Sequence, residues 1–215
     1  MIIGMLGAGQ MAQTLARSWL PAGHQVLLAN SRGPETLADL IADLGDGAAA
    51  ATARELADTE VIVLATRWEQ TPAALAAVGS LAGRIVVDAT NNRLGPPLND
   101  IIDLGGRTSS EVIADLVPGA RVVKAFNHMP IPWLATLRER PEPAALYVAG
   151  DDPAAKAVVG SLIQDLGAVP VDTGSLVDGG HLYGTGGGRL TGRGRPFTVA
   201  EAQAVLADLA AERAI

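Results

Sequence analysis

Apolar residues in this chain fall in short unbroken runs, separated by longer stretches where alanine and leucine recur at helical spacing. The runs at Ile2–Leu6, Gln25–Ala29, 61–65, 84–88 and 121–125 show almost no alternation of apolar and polar positions. An alternating strand is wet on one face. A continuous run is covered on both, as in a parallel sheet flanked by helices. The stretches 10–20, 34–44, 69–78 and 110–116 between them read as helices. Pro21 and Gly23 close the first, Pro34 opens the second, and Pro118-Gly119 follows the fourth. Strand and helix alternating in this way predict a doubly wound α/β fold with a mostly parallel sheet. Further on, 145–149 and 168–171 read as strands around a helix opened by Asp152-Pro153 and ended by Gly167. Residues 174–195 are glycine-rich and aperiodic, which predicts a Gly-rich arm. The last helix starts at Thr198, with Glu201 completing a capping box. The expected organisation is one domain over residues 1–215. Within it, 1–125 form a Rossmann-type core, and 126–215 a small C-terminal α/β lobe with the arm.

Composition narrows the chemistry. Among 215 residues there are 16 basic and 23 acidic side chains, for a net charge of −7. Phosphate-backbone binding needs clustered Lys and Arg, so no nucleic-acid partner is expected. The chain has no cysteine, which excludes disulfides, thiolate catalysis and cysteine-based zinc sites. Its three histidines lack metal-ligand spacing, and no metal is expected. No run is long and apolar enough to span a membrane, and the first residues lack the basic segment of a signal peptide. A cytoplasmic protein is the expectation.

The pattern Gly7-Ala8-Gly9-Gln10-Met11-Ala12 directly follows a predicted strand and opens a predicted helix. In that context Gly7 allows a tight turn, and Gly9 lets the backbone approach a pyrophosphate seated on the helix N-terminus. Ala12 lets the helix pack close to the strand. Past the second strand the chain reads Asn30-Ser31-Arg32, with no carboxylate before Glu35. A carboxylate there would hold the ribose hydroxyls of NAD and repel a 2′-phosphate. Ser31 and Arg32 would instead hydrogen-bond and pair with that phosphate, so the cofactor expected is NADP(H).

Ligands of open α/β sheets bind beyond the carboxyl ends of the strands. Thr66, Ala89 and Asn127 stand at three such ends and would border the nicotinamide. Trp68, Met129 and Pro130 would offer apolar surface to a flat substrate. His128 is the candidate proton donor. His24 reads as a surface residue, and Lys124 as packed or salt-bridged inside its strand.

With these residues in place, the chain resembles the F420H2:NADP oxidoreductases, the NADPH-dependent deazaflavin reductases. The turn at Gly7–Ala12 and the pair Ser31-Arg32 match that family's NADP site. The run from Val61 to Thr66 with Trp68-Glu69 matches the same NADP site, and Val122 to Asn127 matches the strand leading to the acceptor site. Gly150-Asp151-Asp152 and Val171 to Gly174 match its C-terminal lobe. The resemblance covers about residues 1–176. It implies hydride transfer between NADPH and a small flat acceptor, with coenzyme F420 as co-substrate. Where the family carries a histidine, this chain has Asn127, with His128 one position on.

The same nucleotide-binding module occurs in pyrroline-5-carboxylate reductases and in the ferric-reductase domain of membrane metalloreductases. Flavin, ferric or imine reduction is therefore an alternative, as is an NADPH-binding module without turnover. A homodimer is the expected assembly.

Overall fold

The computed structural model describes residues 1–95, 100–185, 188–191 and 194–213. The chain begins β1 (Ile2–Leu6), α1 (Gln10–Trp19), β2 (Gln25–Ala29), α2 (Ala38–Leu44) and β3 (Ala48–Ala50). It continues through β4 (Val61–Leu64), α3 (Thr71–Val78), β5 (Ile85–Asp88) and the short hairpin β6 (Arg93–Leu94) and β7 (Asp100–Ile101). Then come α4 (Ser109–Leu116), β8 (Arg121–Lys124), α5 (Ile131–Ala135), β9 (Ala145–Gly150), α6 (Pro153–Gln164) and β10 (Val169–Asp172). Helices α7 (Leu176–Tyr183) and α8 (Val199–Arg213) follow.

Eight strands form one sheet in the order β10-β9-β8-β5-β4-β1-β2-β3. Every pairing is parallel except β8 with β9. The strand order reverses between β1 and β4, which is where open sheets of this class bind ligands. The unbroken apolar runs follow from this burial. Val61 and Val63 face one core with Trp19, Leu162 and Leu134, while Ile62 and Leu64 face another with Leu75, Val78 and Ile113. Among the described residues no helix is long and apolar enough to cross a membrane.

The sequence reading placed most element boundaries within a residue or two and missed four features. Residues 34–37 and 68–70 are 3-10 turns leading into α2 and α3. Strand β3, the hairpin β6–β7 and helix α5 were not expected. The glycine-rich arm needs the largest correction, because its first third is helix α7. Ser175 caps that helix, accepting from the Asp178 amide at 3.0 Å. A Cβ on Gly179 would stand 2.8 Å from the Ala149 Cβ, and one on Gly180 2.9 Å from a Thr108 methyl. These glycines serve close packing of the helix on β9 and on the start of α4, not backbone freedom. Proline sits in β10 at Pro170, which an edge strand tolerates.

Candidate functional site

The carboxyl ends of β1 and β4 meet at Gly7. Its amide donates to the Ala29 carbonyl at 2.9 Å, and its φ is +114°. A Cβ at this position would lie 2.5 Å from the Ala65 carbonyl oxygen, so conformation and space both demand glycine. Gly9 is different. It caps α1 with ordinary φ −79°, and a Cβ there would meet nothing within 4 Å. The space above Gly9 is open, and no side chain caps α1 or places a carboxylate in its first turn. The first-turn amides and the positive end of the helix dipole therefore point into that space. Gln10 is exposed and Met11 half-buried, while Ala12 is fully buried against the sheet. The Gln13 side chain donates to the Ala8 carbonyl at 3.0 Å and steadies the loop.

Ser31 and Arg32 are exposed just past β2. Their loop is held from below. Asn30 Oδ1 accepts from the Arg32 amide at 2.9 Å, and Asn30 Nδ2 donates to Thr36 Oγ1 at 2.9 Å. Thr36 in turn donates to the Gly33 carbonyl at 2.7 Å. The Arg32 guanidinium has no ion pair among the described residues, while Arg17, Arg107, Arg189 and Arg195 each have one.

At the end of β4, Thr66 and Thr71 share a hydrogen bond at 2.7 Å. The Thr71 hydroxyl donates to the Arg67 carbonyl, so Thr66 is the donor between them. Trp68 is half-buried against the face of the sheet that carries α3 and α4.

The ends of β5 and β8 are built from buried side chains. Asp88 and Lys124 are both fully buried and lie 3.2 Å apart. Asp88 also accepts from Ser110 and from the Thr90 amide and hydroxyl. Lys124 donates to Ser109 at 2.9 Å as well as to Asp88. Burial alone would raise the Asp88 carboxyl, but Lys124 and the hydroxyl and amide donors outweigh it and hold it below the usual range. Tyr183 from α7 closes the cluster, its hydroxyl donating to the Lys124 carbonyl at 2.7 Å. Burial pushes that phenol well above its ordinary value.

Directly after β8 the backbone turns through Phe126, whose φ of +65° is rare for a residue with a side chain. The fully buried Phe126 ring lies edge-on to Trp19, with centroids 5.7 Å apart, and this packing holds the turn. The turn delivers Asn127 beside Asn91. Asn127 Nδ2 donates to Asn91 Oδ1 at 3.2 Å, Asn91 Nδ2 to the Asn127 carbonyl at 3.1 Å, and Thr185 to Asn91 Oδ1 at 2.9 Å. Asn127 Oδ1 is buried and accepts no hydrogen bond among the described residues. Such an orphan acceptor is costly and suits a donor from a ligand. Ala89 is 7% exposed, at the end of β5.

His128 is not the solvated loop histidine its sequence context suggests. Both tyrosines of the chain pack on its ring, Tyr147 at 4.4 Å and Tyr183 at 5.5 Å between centroids. Its two ring nitrogens are closed off from solvent, and neither completes a hydrogen bond among the described residues. Burial drives the imidazole down to about 3, with the Ala145 carbonyl opposing the shift, so it is neutral at physiological pH. Met129 and Pro130 line a small cavity with it.

The structure thus gathers Gly7 to Met11 with the end of β4, and Asn127 with the tip of β5. Trp68 and Met129 belong to different hydrophobic clusters and do not form one wall. His24, expected at the surface, pairs with Asp165 at 2.9 Å. The roles of Asp88, Asn30, Phe126, Tyr147 and Thr185 were missed. The only sequence signal for Asp88 and Lys124 is a charge ending each of two otherwise apolar strands. No grouping of three or more metal-binding side chains occurs among the described residues.

Residues 2–92 match the family described as NADP oxidoreductase, coenzyme F420-dependent. The chain is 31% identical over 176 residues to metalloreductase STEAP3 of Rattus norvegicus, covering 81% of this chain and 34% of that protein. It thus spans about a third of the length of the curated metalloreductases it matches. A crystal structure of a Sinorhizobium meliloti protein described as hypothetical is 35% identical, with a TM-score of 0.78, over 86% of this chain and 89% of that one. An Arthrobacter sp. FB24 structure, proposed to be an F420-dependent NADP reductase, is 28% identical with a TM-score of 0.71. It covers 81% of this chain and 84% of that one.

Proposed function

From the match of residues 2–92 to the family described as NADP oxidoreductase, coenzyme F420-dependent, we propose that the chain transfers a hydride between NADPH and a flat acceptor, with coenzyme F420 as the acceptor class. The open, uncapped N-terminus of α1 above Gly9 carries this reading, because it is a preformed anion seat with room for a pyrophosphate. Gly7, Ala8, Gly9, Gln10 and Met11 form that seat. Ser31 and Arg32 clasp the 2′-phosphate, with the unpaired guanidinium supplying the charge. Thr66, Ala89 and Asn127 border the nicotinamide, and the unspent Asn127 Oδ1 accepts from its carboxamide. NADPH, when bound, supplies the hydride. The protein's task is to hold the two rings face to face at about 3–3.5 Å.

The proton inventory favours a flat conjugated acceptor, whose delocalised reduced anion can take its proton from solvent, over an imine or carbonyl, which needs a proton donor at the reacting group. The neutral His128 has no proton to give near pH 7, and the Tyr183 hydroxyl is committed to the Lys124 carbonyl. Trp68, Met129 and Pro130 contribute apolar surface near the acceptor rather than one continuous platform.

A calorimetric titration with NADPH and NADH, followed by turnover with deazaflavin, flavin, ferric chelate and cyclic imine, tests the proposal. It expects tighter NADPH binding and turnover with deazaflavin. Binding without turnover on any acceptor would make the chain a nucleotide-binding module. No heat from either nucleotide would end the reading altogether.

A further inference from the structure

A cavity of about 200 Å³ lies between α5, the middle of β9 and the segment leading into α8. The antiparallel register that sets Lys124 against Ala149 carries the start of β9 past the end of β8, so Tyr147 faces His128 across the cavity floor. Trp133, Tyr147 and Phe197 supply aromatic walls, and Met129 and Leu190 close the sides. An apolar protein cavity of about 150 Å³ is enough to take benzene, so this one has the size of a single ring.

Among the described residues around it, the Arg195 and Thr191 side chains are already committed. Arg195 is held by Glu201, with Nη1 at 2.8 Å, which leaves little attraction for an anion. The Thr191 hydroxyl exchanges hydrogen bonds with Gly188 at 2.9 and 3.1 Å. Both nitrogens of His128 are buried and neither completes a hydrogen bond among the described residues, the Ala145 carbonyl being the one backbone acceptor near the ring. A buried imidazole left so is costly unless something reaches it. A neutral imidazole offers one donor and one acceptor, and a hydroxyl can serve either nitrogen because it both donates and accepts.

We infer that this pocket binds a single aromatic ring bearing one hydroxyl group, seated against Tyr147, Trp133 and Phe197 with the hydroxyl on a ring nitrogen of His128. The aromatic walls recognise the ring by edge and face contacts, and the histidine selects the polar substituent. None of its lining residues belongs to the Gly7–Gly9 seat, while Met129 and Pro130 are shared with the surface proposed for the acceptor, so its occupancy can be read without NADP(H) in the cleft.

The test is a titration of the nucleotide-free protein with phenol and with toluene, followed by NMR at the Thr191 and Gly194 amides. Phenol is expected to bind about three- to tenfold more tightly, as one neutral hydrogen bond implies. His128→Phe keeps the aromatic packing, and should erase the preference while toluene still binds. Equal affinities in the wild-type protein, or shifts that bypass Thr191 and Gly194, would overturn the inference. The NADPH titration, run separately, reads the cleft alone, so failure of one does not imply failure of the other.

Discussion

The β1–β2 side and the β5–β8 side of the carboxyl edge are built by opposite means. On the first, the proposed nucleotide contacts are backbone amides and exposed side chains. Gly9 faces open space, no side chain caps α1, and Arg32 has no ion pair among the described residues. On the second, Asp88, Lys124, Ser110, Thr90 and Tyr183 are buried and bonded to one another. The first side keeps its hydrogen-bonding capacity for a ligand. The second spends most of its capacity on holding a shape, and among its described residues leaves Asn127 Oδ1 and the His128 ring without a completed hydrogen bond. Binding energy and stability are therefore separable here, and substitutions should divide accordingly.

The largest effect is expected on the buried side. Lys124→Met leaves Asp88 buried without its cation and should cost about 3–5 kcal/mol in denaturant unfolding. NADPH affinity of the folded fraction should change little. Replacing Asp88 as well, with Leu, should recover part of the loss, because a buried pair removed whole costs less than one half removed. The pH dependence has a definite sign. The Asp88 carboxyl is held low in the fold, so its contribution is present above the unfolded value and is lost as pH falls through the folded one. The wild-type protein should lose this stability below the reference value of 3.8, and the double variant should not.

On the open side, Arg32→Ala should weaken NADPH binding by about 1.5–3 kcal/mol, the range for a hydrogen bond to a charged group. Thermal stability and NADH affinity should stay where they were. Equal loss for both nucleotides in calorimetry would contradict the 2′-phosphate role. A slightly smaller loss, about 1–3 kcal/mol, is expected for Gly9→Ala. A Cβ there meets no protein atom, so folding is untouched, yet it crowds whatever fills the seat.

The smallest effect at neutral pH belongs to His128→Phe, which removes two buried nitrogens without hydrogen bonds and should raise stability only slightly near pH 7.5, the main difference falling on the acid limb. Because the folded imidazole sits near 3, its contribution is complete above the unfolded value of 6.5 and drains away as pH falls toward 3. A wild-type and variant pair with superimposable stability profiles between those limits would show that the ring is not held neutral.

The same contrast explains what could be read from the sequence. The open side was legible because its function lies in the backbone, and backbone requirements leave local marks. Gly7 and Gly9, two positions apart, are the signature of a turn, and Ser31-Arg32 follows a strand with no carboxylate before Glu35. The helix–strand order was legible for a similar reason, since double-sided burial writes itself as uninterrupted apolar runs. The buried side was illegible because its members come from positions 88, 110, 124 and 183, and only the fold brings them together. His128 was read as a candidate proton donor because nothing local announces that Tyr147 and Tyr183 close over it. Helix α7 was hidden by its own glycines, which usually mark flexible chain and here admit close packing against β9 and α4.

Trp19 has a wider consequence. Its indole donates to the Leu162 carbonyl of α6 at 3.0 Å, and its ring abuts Phe126, so the first helix leans on residues from the last third of the chain. A fragment cut after Asn127 would retain every residue of the proposed cofactor seat yet strip the cover from that indole. Transplanting the front half into another scaffold would therefore require a substitute for α6, or a smaller residue at position 19, before the excised piece could stay soluble.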